Sequence, residues 1–301
     1  MATVTTTRTV PTWLARLVDD AAIFPPGNAP LDRAVTEHLG HRAADYADLV
    51  GPFVVSDVKL PDLIEVVSAG STTGAGPTTG GPLAVTVVVT GGAGAIEPAV
   101  RWATRAPELE LRSLEIGLRD EDDLARNAQR AVAALGALAA DLDGVSANIE
   151  PPRLRGEPST GWLAALDVLA AREIPLKFRT GGVDADAFPT SRELAAGIGA
   201  ALDRELPFKC TAGLHNAVRH RDPETGFEHH GFLNVLLATR ATLDGEDAAA
   251  VLDDPDPVVR VKEVGDDALA RTRRWFTSFG SCSVLEPHDD LVDLGLLGGN
   301  G

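Results

Sequence analysis

A single (β/α)8 barrel of the TIM type is the fold class that this chain predicts, on three observations. Short apolar runs alternate with longer segments of helical spacing, the pattern of repeated β-α units around a parallel sheet. Eight such runs can be counted, and 301 residues accommodate eight units as one domain, 1–301. No GxGxxG fingerprint opens a helical segment, which sets the doubly wound open sheet aside.

The elements follow in order. The first strand is expected at AAIFP (21–25), the second at FVVSDVKL (53–60) and the third at PLAVTVVVT (82–90). Between the last two, AGSTTGAGPTTGGP (69–82) is Gly/Thr-rich without an apolar period and predicts a flexible loop. SLEIGLR (113–119) is the fourth strand. The segment 121–140 that follows opens with acids, which suit a helix N-terminus, and then carries apolar positions at helical spacing. GVSANIE (144–150) leads to a helix over 159–172, with Ser159 or Thr160 as N-cap. PLKFRT (175–180) leads to one over 190–204, where Thr190 and Glu193 have capping-box spacing. FKCTAG (208–213) and WFTSFGS (275–281) complete the set. The interval from Lys209 to Gly280 is too long for one β-α unit, so a helical insertion is expected at about 216–272, with one helix starting near Gly231.

Composition narrows the function. Apolar residues make up 44%, ample for a core, and no run approaches the ~20 residues that span a bilayer. A formal net charge of −17 speaks against nucleic acid and anionic membranes as partners. It points to a small-molecule ligand, leaves a homo-oligomer open, and requires a local basic site for any anionic ligand. MATVTTTRTVPTW lacks an apolar signal region, so a cytoplasmic location is expected. Two cysteines, Cys210 and Cys282, give no disulfide framework and read as small buried thiols.

Lysine is the rare residue. Of 27 Lys plus Arg only four are lysine, Lys59, Lys177, Lys209 and Lys262. Only an amine can become neutral and attack a carbonyl. In a barrel of this type the active site forms at the C-terminal strand ends. The polar residues there are Asp57, Lys59, Glu115, Glu150, Lys177, Arg179, Lys209 and Ser281. A structural ion-pair layer, with Lys177 against Glu150, is one reading. The other is that Lys177 and Lys209, at matching points of adjacent strands, depress each other's affinity for protons. Lys177 then forms a Schiff base while Glu150 shuttles protons. Arg179 would anchor substrate charge. Thr180, Gly181 and Gly182 after strand six, Thr211 and Asn216 after strand seven, and Ser281 with Ser283 would line the substrate. Gly181, Gly182 and Gly213 are expected where backbone approaches a ligand or turns with positive φ.

Four of the seven histidines, His215, His220, His229 and His230, fall within GLHNAVRHRDPETGFEHHGF. With Asp222 and Glu228 they offer ligands for a divalent metal, although the spacing matches no established zinc motif. His215 follows strand seven closely and suits acid-base catalysis or contact with an anion.

KFRTGG and FKCTAG resemble the strand-six and strand-seven segments of deoxyribose-phosphate-type class I aldolases, and FGSCS (279–283) resembles their strand-eight phosphate loop. The resemblance implies a Schiff-base lysine at Lys177, followed by a Thr180-Gly181 turn, and a lysine tuning its pKa at Lys209. Arg179 stands where that family has a small residue, and no counterpart of its relay aspartate is found on the middle strands. DDAAIFPPGNAPLDRAV and SFGSCSVLEPHDDLVDLGLL, at the chain ends, are similar to a family of uncharacterised bacterial barrel proteins. The expectation is a lyase acting on a small anionic carbonyl compound without a cofactor. The alternatives are a divalent-metal isomerase or hydrolase using Glu115, Glu150 and histidines, and a non-catalytic binding module.

Overall fold

A computed structural model describes residues 10–73, 81–119 and 122–298. Eight parallel strands close into a barrel. In chain order these are β1 (Val18–Asp20), β2 (Val50–Ser56), β3 (Leu83–Val89), β4 (Leu109–Gly117), β5 (Ser146–Glu150), β6 (Leu176–Arg179), β7 (Phe208–Thr211) and, after a two-stranded hairpin, β10 (Phe276–Ser281). β10 pairs with β1 on one side and β7 on the other, so no sheet edge is left open. The hairpin, β8 (His220–Arg221) and β9 (Glu228–His229), is antiparallel. The (β/α)8 architecture read from the sequence is therefore the one observed.

Helices α1 (Leu31–Ala43), α2 (Leu60–Thr73), α3 (Ile96–Arg105), α4 (Leu124–Gly136), α5 (Thr160–Ala170) and α6 (Ser191–Leu202) follow the first six strands. Buried Leu and Val from the strands and Leu, Ile and Ala from these helices form one continuous core. Their starts are set locally. Ser159 accepts Trp162 N–H as N-cap of α5, and Thr190 and Glu193 form the expected capping box of α6. The 216–272 insertion opens with the hairpin and continues as α7 (Phe232–Asp244), α8 (Ala248–Leu252), α9 (Val258–Val264) and α10 (Asp266–Thr272). Of these, α7 packs on the barrel through the stacked rings of Phe232 and Phe279. α11 (Leu285–Asp293) ends the fold.

Several expectations are corrected. The first strand is Val18–Asp20 rather than 21–25, because its two aspartates are buried with partners and hide the strand from an apolar count. β2 stops at Ser56, and Asp57 to Lys59 form a single 3-10 turn. β4 begins at Leu109, earlier than the apolar run suggests, and α4 is capped by Asp123 and stops at Gly136. Of the 69–82 segment expected as a loop, residues 69–73 belong to α2 and 74–80 lie outside the described residues. Among the described residues, no helix is long and apolar enough to cross a membrane.

Candidate active site

The barrel interior is charged, and strand register explains how. Lys177 and Lys209 are Cα partners across β6 and β7, so their side chains leave the sheet on the same side. Glu115 on β4 is in register with Val88 on β3 and Asn148 on β5. Lys177 donates to Glu115 Oε2 at 2.7 Å and to Glu150 Oε2 at 2.9 Å. Lys209 donates to Glu115 Oε1 at 2.5 Å and to Asp19 Oδ2 at 2.5 Å. Arg179 Nε meets Glu150 Oε1 at 2.9 Å, and the Ser278 hydroxyl donates to Asp19 at 2.9 Å. Strands β1, β4, β5, β6, β7 and β10 thus share one network of three cations and three carboxylates, balanced in charge. Lys177, Lys209 and Glu115 are only 2–3% exposed.

Electrostatics follow from that enclosure. Burial works against a charged Glu115, yet Lys177 and Lys209 outweigh it and hold the carboxyl at about 2. Burial likewise works against a charged Lys209, and Asp19 and Glu115 outweigh it, so the amine is held above the ordinary lysine range. Glu150 is kept below the usual carboxylate range, with Lys177 and Arg179 overcoming burial. The expected lysine pair is corrected in one respect. Glu115 bridges the two amines, one on each oxygen, and Lys209 is a firmly held ammonium. Glu115 stands between the two lysines.

Asp19, Asp20, His38, Gly51 and Ser278 escape sequence reading. Asp20 accepts His38 Nδ1–H at 3.0 Å and fastens β1 to α1. Gly51 faces Asp19, since an added Cβ would stand 2.1 Å from Asp19 Oδ1. The one available signal was the pair of acids directly after the apolar Leu17-Val18. Thr86, two residues below Val88 on the same face of β3, has a fully buried hydroxyl without a hydrogen-bond partner among the described residues.

At the rim the predicted residues separate into those that face the mouth and those consumed by the scaffold. The Arg179 side chain is 44% exposed beside the network. Thr180 is buried, and its hydroxyl donates to the Thr211 and Ala212 carbonyls, locking the β6 and β7 ends together. Gly213 has the expected positive φ of 77°, but Gly181 and Gly182 do not. Their role is packing, because an added Cβ on Gly181 would lie 2.8 Å from the Gly213 Cα, and one on Gly182 would lie 2.7 Å from the Ala187 Cβ. Thr211 lies opposite Gly280. Asp57 is occupied by Thr90 and its own turn, and Lys59 is exposed on that turn. Asn216 donates to Asp290. Ser281 is buried and accepts Ser283 N–H, while Ser283 Oγ accepts Glu286 N–H.

The histidine cluster disperses. His215 Nδ1 bonds Glu286 at 2.9 Å and has Cys282 Sγ 3.7 Å away. Burial lowers its proton affinity, but Cys282 and Glu286 outweigh this and raise its pKa to about 9. His229 donates to the Gly213 carbonyl and packs at a tilt against the rings of Phe188 and His220. His220 turns to the Val218 carbonyl, and His230 is buried against the Pro189 carbonyl. The ring nitrogens point to separate partners. Among the described residues no three His, Cys, Asp or Glu side chains are grouped to hold a metal, which corrects the expectation of ligands here. Cys210 is buried as expected, but Cys282 is only half-buried, being in the loop after β10.

Fold and site together define a (β/α)8 barrel with a buried lysine-carboxylate network opening at the C-terminal strand ends, an architecture commonly found in enzymes. No protein-family model matches the chain, and no curated protein matches it.

Proposed function

We propose that the protein is an enzyme of lyase type that makes or breaks a bond next to the carbonyl of a small anionic compound, through an imine at Lys177. The observation that carries this reading is the setting of Lys177, with its amine between Glu150 and Glu115 and with Lys209 held charged on the far side of Glu115. An ammonium is no nucleophile, so catalysis needs a base that removes its proton. Glu150 is in contact at 2.9 Å and is the carboxylate nearer the rim. Passing the proton to Glu150 frees the amine to attack the carbonyl carbon. The same acid then protonates the departing hydroxyl, water leaves and the iminium remains. The iminium draws electrons from the adjacent bond, and Glu150, ionised again, takes the proton released there.

Lys209 stays an ammonium throughout. Arg179 supplies the cation for the substrate's anionic group on an otherwise acidic protein, and His215 is retained as a proton donor at the rim. The likeness of 175–180, 208–213 and 279–283 to class I aldolases supports the same reading.

The test is turnover of small phosphorylated and carboxylated aldehydes and ketones. Lys177→Arg keeps a cation between the two glutamates but cannot form an imine, and activity should fall to background. Glu150→Gln should retain substrate binding and lose roughly 100-fold or more in kcat. Full turnover by Lys177→Arg would end the proposal.

A further inference from the structure

We propose that Gly117 is a specificity-determining position of the barrel mouth, and that the substrate's carbon chain lies across it against the bare backbone of β4. This deepens the reading of Lys177 as an imine-forming amine and rests on it. β4 is buried on its outer side through Ile116 and Leu118, while Glu115 meets both lysines inside the barrel. Side chains alternate along a strand, so Gly117 holds the next inward position, one step nearer the mouth than Glu115. It is the register partner of Glu150, the carboxylate in contact with both Lys177 and Arg179. The ladder continues past it, since Leu118 N–H donates to the Glu150 carbonyl at 2.8 Å.

Glycine weakens a strand. Inside one it serves a left-handed backbone, a bulge, or the close approach of another backbone or a ligand. The first three reasons are missing at Gly117. Its φ lies outside the left-handed region, and its strand pairs with β5 without a shift from Ser113 to Gly117. A Cβ built on it meets nothing within 4 Å. Gly51 and Gly280, also within barrel strands, differ. A Cβ on Gly51 would collide with Asp19, and one on Gly280 would touch Thr211 Oγ1 at 3.6 Å. For Gly117 the approach of a ligand is the reason that remains.

The borders of this open space set the class of compound. Glu150 and Lys177 stand on the β5–β6 side, with the half-exposed Arg179 next to them. Val88, the register partner of Glu115 on β3, gives an apolar wall on the other side. Arg119 is the next position on the inward side of β4. Its carbonyl accepts Asn127 Nδ2–H at 2.9 Å, and its Nε lies 3.7 Å from a Cβ built on Gly92 in the loop after β3. The rim therefore carries an arginine on the β3 side and another on the β6 side. A short-chain compound with one anionic end fits these borders. Its carbonyl carbon faces Lys177, its chain crosses Gly117 beside Val88, and its acid group turns to the rim arginines.

The test uses glyoxylate and pyruvate with borohydride, read as the rate of adduct formation on the peptide containing Lys177. Gly117→Val puts a branched side chain into open space on a strand, where such residues suit the backbone better than glycine. Its denaturant midpoint should equal or exceed that of the unmodified protein. Its rate of adduct formation should be lower by about tenfold or more, with Gly117→Ala in between. A Gly117→Val rate equal to that of the unmodified protein, or a lowered midpoint, would overturn the proposal and leave the reading of Lys177 in place. A second arm needs no imine. The thiol introduced by Gly117→Cys is treated with anionic sulfonatoethyl or cationic trimethylammonioethyl methanethiosulfonate, each rate being taken relative to free mercaptoethanol. The anionic reagent should be favoured, against the net charge of −17 on the whole chain. An unreactive thiol, or one that favours the cation, would also overturn the proposal. If neither carbonyl compound labels Lys177 in the unmodified protein, the imine reading fails, and the thiol arm alone decides whether Gly117 borders an anion-binding space.

Discussion

Lys177 and Glu115 show how much a single position depends on its neighbours. Each would be a costly buried charge alone, and each is stabilised because its partners arrive on other strands. Gly51 belongs to the same account. Asp19 is fixed by Lys209 and Ser278, and a methyl group on Gly51 must displace its carboxylate. Gly51→Ala is therefore expected to lower stability by about 1–3 kcal/mol, seen as a lower denaturant midpoint with an unchanged slope. A midpoint equal to that of the parent protein would show that Asp19 is not held in place. At this scale the lysines were legible because they are rare and stand before glycine turns. Asp19 was not, because three residues of strand carrying two acids give no apolar period. Gly51 has no sequence signal, since its need arises only when β1 and β2 pair.

Elements were read well where the signal is local. The α5 cap requires only a hydroxyl and the α6 cap a hydroxyl and an acid at fixed spacing, and both form where the sequence places them. Glu193 does more than spacing reveals. Besides the Thr190 N–H it accepts Arg153 Nη2 and Gly156 N–H, so it ties the loop after β5 to the start of α6. Glu193→Ala should cost about 1–2 kcal/mol through the lost cap. It should also speed amide exchange at Gly156, while Glu193→Gln should restore part of both. Unchanged exchange at Gly156 would separate the loop from the helix. The hairpin β8–β9 was missed, because two residues per strand are too few for alternation and its histidines suggested a metal instead.

For the whole molecule, the charged interior makes stability depend on pH in a definite direction. Glu115 goes from an ordinary value of 4.5 to about 2 on folding, so its contribution is complete above pH 4.5 and lost as pH falls through 2. That displacement corresponds to roughly 3 kcal/mol, and Glu150 shifts in the same direction, whereas burial outweighs Lys209 at Asp19 and raises that carboxyl, which offsets part of the loss in acid. The raised Lys209 acts at the other end. Its contribution is complete below the ordinary lysine range and is lost only in strong alkali. Denaturant midpoints should hold steady near neutrality and fall between about pH 4.5 and 2. Stability unchanged down to pH 2.5 would mean that the lysines do not hold Glu115 and Glu150 ionised. The barrel itself was legible from the count of strands and their alternation with helices. The contact of Lys209 on β7 with Asp19 on β1 links residues 190 positions apart, which no local pattern encodes.

The central claim is that Lys177 is a working amine, and covalent trapping tests it most directly. The protein is incubated with small anionic aldehydes and ketones, reduced with borohydride, digested and analysed by mass spectrometry. One substrate-derived adduct on the peptide containing Lys177, absent in Lys177→Arg, is the predicted result. Adducts confined to exposed Lys59 and Lys262, with Lys177 unmodified under every carbonyl compound tried, would contradict it.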